Sequence, residues 1–439
     1  MSAAARASVE DHVARLRCVL AQALGTLDHD RVPVAPGAAA GRIAAARVSA
    51  AADLPGVDNS QMDGFALRAS DVRPGADITV AGLIAAGSPP RSLEPGEALG
   101  IMTGAPLPAG ADCVVPVERT SWGRFEEESP DAVSGSRITI SAEAQLAPGT
   151  FIRPRGSDVV RGDVVVEPGT RLTPAHLGLL AACGVGAVEV LRRPTVMVLA
   201  TGDEVRPLDG HETDRHPNGG AVLAPGHVYD ANTPLITATL EAFGCRVVAQ
   251  QVSADDPTAF LAAIDHAIAR FSPQLVVTAG GISMGAFEVV RQGLSHRGIQ
   301  FGSVAQQPGG PQGWGVESAS GTAIIALPGN PVSCAVSLET LVRPALAAVY
   351  PGCRAQRRVS ASLAEAFQSP AGVRQFRRVQ FGAQPPGEAP SVHAVGGPGS
   401  HLLAHLARAD ALLELREEDT DLPAGTIREV ILLTGQEPR

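Results

Sequence analysis

Lysine is missing from this chain: all 35 basic residues other than histidine are arginine, over 439 positions. Without a side-chain amine, a Walker phosphate loop and Schiff-base catalysis are both excluded. Cysteine is sparse as well. Cys18, Cys113, Cys183, Cys245, Cys334 and Cys353 lie far apart with no C-x-x-C pair, which argues against metal cages and disulfide frameworks and for a reducing compartment. The eleven histidines show no metal-ligand spacing. No apolar run approaches the ~18 residues of a membrane span, and Glu10 and Asp11 stand where a signal peptide carries its apolar region. The expectation is a cytoplasmic protein without membrane segments. A net charge of −10 makes nucleic acid a poor partner.

What the chain does have is glycine and proline, 48 and 35 residues, in a sequence that is 45% apolar. Many turns and short elements point to mixed α/β and β-rich modules, roughly three by length. Val9, Val13, Leu16, Leu20 and Leu24 recur at helical spacing and predict a helix over residues 8–27. From Asp53 to about Arg155, turns such as "EPGE" and "LPAGAD" separate short apolar runs, the rhythm of a small β-rich domain. Thr173 and Pro174 then mark a helix start. After Arg193, apolar strands alternate with helices, which predicts a parallel sheet covered on both faces. The tail beyond Pro351 and Gly352 reads as a small β domain.

Ligands of open parallel sheets bind beyond the carboxyl ends of the strands. Four loops occupy that position: Thr201-Gly202-Asp203-Glu204, Asp255-Asp256, Gly280-Gly281-Ile282-Ser283-Met284-Gly285 with Glu288 beyond, and Pro328-Gly329-Asn330-Pro331. They combine backbone donors suited to an anion with carboxylates that repel one, a conflict that Mg²⁺ resolves. Asp203 and Asp255 are also natural helix caps, and paired glycines are natural turns. Ser283 and Thr201 lack a neighbouring histidine and a nucleophile elbow, so nucleophilic catalysis is disfavoured. The coincidence of four such loops in one block carries the site assignment.

The stretches "NSQMDGFA", "IMTGAPLPAGADCVVPVE", "RPRGSDVVRGD", "TGDEV", "YDANTP", "GGISMG" and "LPGNPVS" follow one another between residues 55 and 345. In this order they resemble the molybdopterin molybdenumtransferases, the MoeA-type enzymes that include the E-domain of gephyrin. "SHLLAHLARADALLEL" and "LPAGT" extend the likeness into the tail. The resemblance implies a four-domain α/β chain. A discontinuous, elongated linking domain would span 1–50 and 156–192, a small β-rich domain 51–155, a central parallel-sheet molybdopterin-binding domain 193–349 and a C-terminal β-barrel-like domain 350–439. It implies a homodimer with a site shared between subunits, in which molybdenum from molybdate enters adenylylated molybdopterin with release of AMP and a requirement for Mg²⁺.

By motif position the family's functional acids fall on Asp63, Asp158, Glu204, Asp255 and Glu288, and its threonine on Thr103. Glu204, Asp255 and Glu288 are the implied Mg²⁺ ligands. Gly280, Gly281, Ser283, Gly285, Glu288, Pro328, Gly329, Asn330, Pro331 and Ser333 are the implied substrate-binding set. One position departs: the family usually reads Pro-Gly-Lys-Pro where this chain has Pro308-Gly309-Gly310-Pro311. Arg153, Arg155 or Arg291 are the candidates to replace that cation, and residues 206–227 read as an extended surface loop. Two other readings follow from the same residues, an adenylyltransferase-like enzyme built on the α/β module and a non-catalytic dimeric scaffold.

Overall fold

The computed structural model describes residues 6–73, 75–87, 89, 91–125, 134–141, 147–208, 222–253, 256–282, 289–382 and 390–435. Two compact units make up the chain, one of Met1–Asp28 with Leu191–Arg439 and one of His29–Val190. In the first, α1 (Val9–Leu24) starts at Ser8, whose hydroxyl accepts the Asp11 amide at 3.0 Å and so satisfies one open donor of the first turn. It ends at Gly25, earlier than the periodicity predicts, where φ is 54°. Leu16, Leu20 and Leu24 are buried against Trp314, Leu341 and Leu346, each worth roughly 1.5–3 kcal/mol by transfer from water.

The unit His29–Val190 carries a five-stranded sheet. Its strands are β1 (Gly64–Leu67), β2 (Asp77–Ile84), β3 (Glu97–Ile101), β4 (Cys113–Pro116) and β5 (Arg137–Thr139), in the order β4-β1-β3-β2-β5. All four residues of β1 are buried, with Phe65 and Leu67 in a core shared with Ile101 and Val115. Gly64 is required by space, since a Cβ there would lie 2.1 Å from the Val115 carbonyl oxygen. Further along, α2 (Pro174–Ala182) begins at Thr173, capped as the sequence predicts.

In the other unit, β6 (Thr195–Thr201), α3 (Asn232–Ala242), β7 (Arg246–Ser253), α4 (Pro257–Phe271), β8 (Leu275–Ala279), α5 (Val289–Leu294), β9 (Ile299–Ser303), β10 (Pro311–Val316), β11 (Ala323–Leu327) and α6 (Pro331–Ser337) follow in sequence. The sheet order is β7-β6-β8-β11-β10-β9. The first four strands are parallel, and β10 and β9 run antiparallel to their neighbours. Alternate side chains of β6 enter different cores: Val196 and Val198 join Ile236 and Leu240 of α3, while Met197 and Leu199 join Phe260 and Ile264 of α4. Both faces are therefore covered, as apolar parallel strands demand. Beyond α6 the sequence predicts one continuous helix, but Leu338–Val342 is a π turn leading into α7 (Arg343–Ala347). Pro344 has no N–H to give the turn before it, and the wider turn absorbs that mismatch.

The tail closes into a five-stranded barrel. Strands β12 (Arg358–Leu363), β13 (Arg374–Phe381), β14 (Ser391–Ala394), β15 (Ala411–Leu415) and β16 (Ile427–Leu432) pair in the order β13-β14-β12-β16-β15, and β15 pairs back to β13. No helix among the described residues is long and apolar enough to cross a membrane.

One buried group makes the fold sensitive to acid. His12 is fully buried in α1, its ring edge-on to Trp314 at 4.9 Å between centroids, and neither ring nitrogen has a hydrogen-bond partner. Burial, with Arg15 adding repulsion, lowers its pKa from 6.5 to about 4. Above pH 6.5 the ring is neutral folded or unfolded; below it the unfolded chain binds a proton that the folded chain refuses. The stability His12 permits at neutral pH is therefore lost as pH falls from 6.5 through about 4. Chemical denaturation at pH 7.5 and 5.0 should show wild type losing about 2 kcal/mol more than His12→Leu over that interval, and equal losses would contradict the assignment.

Candidate functional site

Three neighbouring parallel strands end at Thr201, Ala279 and Leu327, and their loops surround a cavity of about 500 Å³, within the usual range for small-molecule sites. Glu204, Gly280, Gly281, Pro328, Gly329, Asn330 and Pro331 all line it, together with Pro311, the first residue of β10. Seven of the residues selected from sequence thus meet at one place.

The local backbone explains how. Gly280 has φ of 100°, and a Cβ there would sit 2.6 Å from Thr201 Oγ1, while a Cβ on Gly329 would lie 3.3 Å from Gly280 Cα. The middle loop fits between its neighbours only without a side chain. Gly202 serves Glu204 in the same way: a Cβ at 202 would be 2.8 Å from Glu204 Oε2, so the carboxylate folds over bare backbone. Asn330 caps α6 by accepting the Val332 amide at 3.0 Å, and Pro331 is the first helical residue. Beneath the loop, the Cys334 thiol donates to the Pro328 carbonyl at 2.8 Å, and burial pushes its pKa far above the ordinary value. It is a structural thiol, not a nucleophile.

Asp256 proves to be a helix cap, accepting the Ala259 amide at 2.7 Å. Ser333 is buried inside α6 and does not line the cavity. Asp255, Ser283, Gly285 and Glu288 lie outside the described residues. Among the described residues no group of three His, Cys, Asp or Glu side chains comes together that would hold a metal ion.

Sequence reasoning passed over Tyr229, Asp230 and Asn232, which also line the cavity. Asp230 is buried and accepts the amides of Asn232 and Thr233 at 3.0 Å each. Asn232 Nδ2 donates to the Gly329 carbonyl at 2.7 Å, while its Oδ1 is buried without a partner. The available signal was Asp two residues ahead of Asn-Thr-Pro, an Asx turn into a helix; taking "YDANTP" into the helix hid it. Residues 206–227 are tied at their base, where Val205–Arg206 pairs with Val228–Tyr229 and Arg206 Nη2 lies 2.6 Å from His227 Nε2. Residues 209–221 of that loop lie outside the described residues.

In the unit His29–Val190, Asp63 and Thr103 form a pair. The Thr103 amide and hydroxyl both donate to Asp63 Oδ1, at 2.6 and 2.8 Å, on the exposed surface. The turn carrying Thr103 is fixed by Gly104 N–H on Ser60 O at 2.9 Å. Asp158 is exposed, with its amide on the Leu54 carbonyl at 3.0 Å. Asn59–Ser60 pairs antiparallel with Ile152–Arg153, so Asp63 and Asp158 leave that pair at opposite ends. Of the arginines proposed to replace the missing lysine, Arg155 is committed to Asp53 and Arg153 reaches Asn59.

An open sheet that gathers its loops around such a cavity defines a small-molecule-binding α/β protein with additional β domains. Comparison with known proteins narrows this. Residues 5–184 match the MoeA N-terminal region (domain I and II), 197–348 the probable molybdopterin binding domain and 360–433 the MoeA C-terminal region (domain IV). The chain is 38% identical to molybdopterin molybdenumtransferase 2 of Mycobacterium tuberculosis, over 90% of its own length and 93% of that relative. It is 32% identical to the molybdopterin molybdenumtransferase of Haemophilus influenzae, over 88% and 90%. The crystal structure of the MoeA protein from Pyrococcus horikosii superposes with a TM-score of 0.74 at 27% identity, covering 98% of this chain and all of that one. The chain belongs to the molybdopterin molybdenumtransferase (MoeA) family. Because the likeness runs through the N- and C-terminal regions, nothing favours a stand-alone adenylyltransferase module.

Gly280→Ala should cost roughly 1–3 kcal/mol, the usual range for one strained backbone residue. Denaturant unfolding reads that cost, and an unchanged midpoint would show that the three loops do not need the glycine.

Proposed function

We propose that this chain inserts molybdenum from molybdate into adenylylated molybdopterin and releases AMP, completing molybdenum cofactor synthesis in the cytoplasm. The observation that carries the reading is the cavity built from Glu204, Gly280–Gly281 and Pro328–Pro331, in a chain with the family's likeness along most of its length. The protein works as a homodimer, with Asp63 and Thr103 of one copy serving the cavity of the other.

Substrate pterin and diphosphate lie against the backbone at Gly280–Gly281 and Pro328–Pro331, and Ser283 and Gly285 serve the same substrate; Ser333, inside α6, does not. Holding Mg²⁺ falls to Glu204, with Asp255 and Glu288. Glu204 and Asp230 both line the cavity, and two carboxylates would suit a hard divalent cation such as Mg²⁺. When bound, Mg²⁺ neutralises the phosphoanhydride and polarises phosphorus. Asp63 is held at Oδ1 by Thr103, so Oδ2 is the atom that orients the attacking oxygen. Asp158 is the second acid for that task. Water attacks the adenylyl phosphorus, the anhydride P–O bond breaks to give AMP and the pterin phosphate, and the proton of the water passes to the released phosphates; as molybdenum bonds the two dithiolene sulfurs, one molybdate oxygen leaves with the two thiol protons as water.

Molybdate-dependent AMP release from adenylylated molybdopterin, with and without Mg²⁺, is the decisive assay. Asp63→Asn should lower that rate roughly 100-fold, the scale of a positioned acid–base group, with no change in melting temperature; normal turnover would reject its role. Gly310→Lys is sterically open, because a Cβ there meets nothing closer than 3.5 Å. It should lower the molybdate KM by roughly two- to fivefold, the scale of a partly exposed charge contact, with kcat unchanged.

A further inference from the structure

A second cavity of about 440 Å³ shares no lining residue with the one at the sheet edge. It lies where the end of α3, the chain after α7 and the end of β16 meet. Arg343, Arg354 and Arg357 line it, none of its lining residues is acidic, and Phe243 and Leu432 supply an apolar wall. In a chain of net charge −10, a cavity lined by three arginines calls for a reason.

Arg343 is buried, 8% exposed, and rigidly held. Its Nε donates to the Arg354 carbonyl at 3.1 Å and its Nη2 to the Ala355 carbonyl at 3.2 Å. Its Nη1 donates to Glu339 at 2.9 Å and to Thr434 Oγ1 at 3.2 Å, with the guanidinium 5.5 Å from the Phe243 ring centroid. Glu339 is fully engaged, because its other oxygen accepts the Thr434 amide at 2.8 Å. One Nη2 hydrogen of Arg343 takes none of these bonds. Arg354 and Arg357 are exposed beside it. A buried, fixed guanidinium fork beside two exposed guanidinium groups matches the geometry of a phosphate group, and the apolar wall strengthens the attraction by excluding water.

We propose that this cavity is a binding site for a phosphate group carried on a small organic molecule, with Arg354 and Arg357 gripping the phosphate, Arg343 anchoring it, and Phe243 and Leu432 packing the carbon body. The probes are phenyl phosphate and inorganic phosphate, titrated calorimetrically into the full chain at low ionic strength. Wild type should bind phenyl phosphate at least tenfold more tightly than inorganic phosphate. The double variant Arg354→Gln/Arg357→Gln should bind phenyl phosphate at least tenfold more weakly, while keeping the wild-type melting temperature and rate of AMP release. The charge-retaining Arg354→Lys/Arg357→Lys should recover part of the affinity. Absence of binding to wild type, or equal binding by the glutamine variant, overturns the site. Equal affinity for the two probes overturns the organic body. Failure of the AMP-release assay itself would reject the proposed activity and leave this binding result standing.

Discussion

Adjacent parallel strands stand about 4.8 Å apart, so loops leaving three neighbouring strand ends compete for the same space. In this chain the competition is settled at Gly280. The strand it follows lies between those ending at Thr201 and Leu327, and its loop passes within contact of both Thr201 and Gly329. Positive φ and the missing side chain let it turn there. Asn232 then ties the outer loop from the other side through the Gly329 carbonyl. That close approach brings the loops after Thr201, Ala279 and Leu327 to one cavity.

A parallel device operates in the unit His29–Val190. Gly64 lets β1 press against β4, so the residue before it, Asp63, is held at the surface by a buried strand. Two bonds from Thr103 reach the same carboxylate oxygen. Each hydrogen bond nets only about 0.5–1.5 kcal/mol, and on an exposed acid less again, so stability is not their main product. What they fix is direction: Oδ1 is held, and Oδ2 takes neither bond.

The elements that could be read from sequence were those with local causes. The cap at Thr173, the proline starts of α2 and α6, and the alternation of apolar strands with helices all act within a few residues. The family motifs picked out Asp63 and Thr103, but their contact spans 40 positions and no local pattern announces it. Asp230 and Asn232 were missed because a helix prediction absorbed the turn that presents them. The π turn at Leu338–Val342 was missed because periodicity looks the same whether a helix is regular or locally widened. Closure of the C-terminal barrel depends on β15 returning to β13, a register set by packing around Val379, Leu413 and Val430.

The departure at Gly310 separates shape from charge. The loop around it rests on a buried polar network: Gln312 donates to the Gly309 carbonyl and to Ser337, Gln306 to the Pro308 carbonyl, and Thr340 to Gln306. None of these contacts involves a side chain at 310, so exchanging lysine for glycine removes a charge and leaves the support of the loop in place. The electrostatic consequence is larger. Among the described residues, Glu204 and Asp230 line the cavity and no arginine does. At an effective dielectric of 20, a unit charge about 4 Å away contributes on the order of 4 kcal/mol. Among the described lining residues, a dianion finds only neutral donors to offset two carboxylates. Under the proposed function, a divalent cation would offset those two carboxylates as the anionic substrates enter.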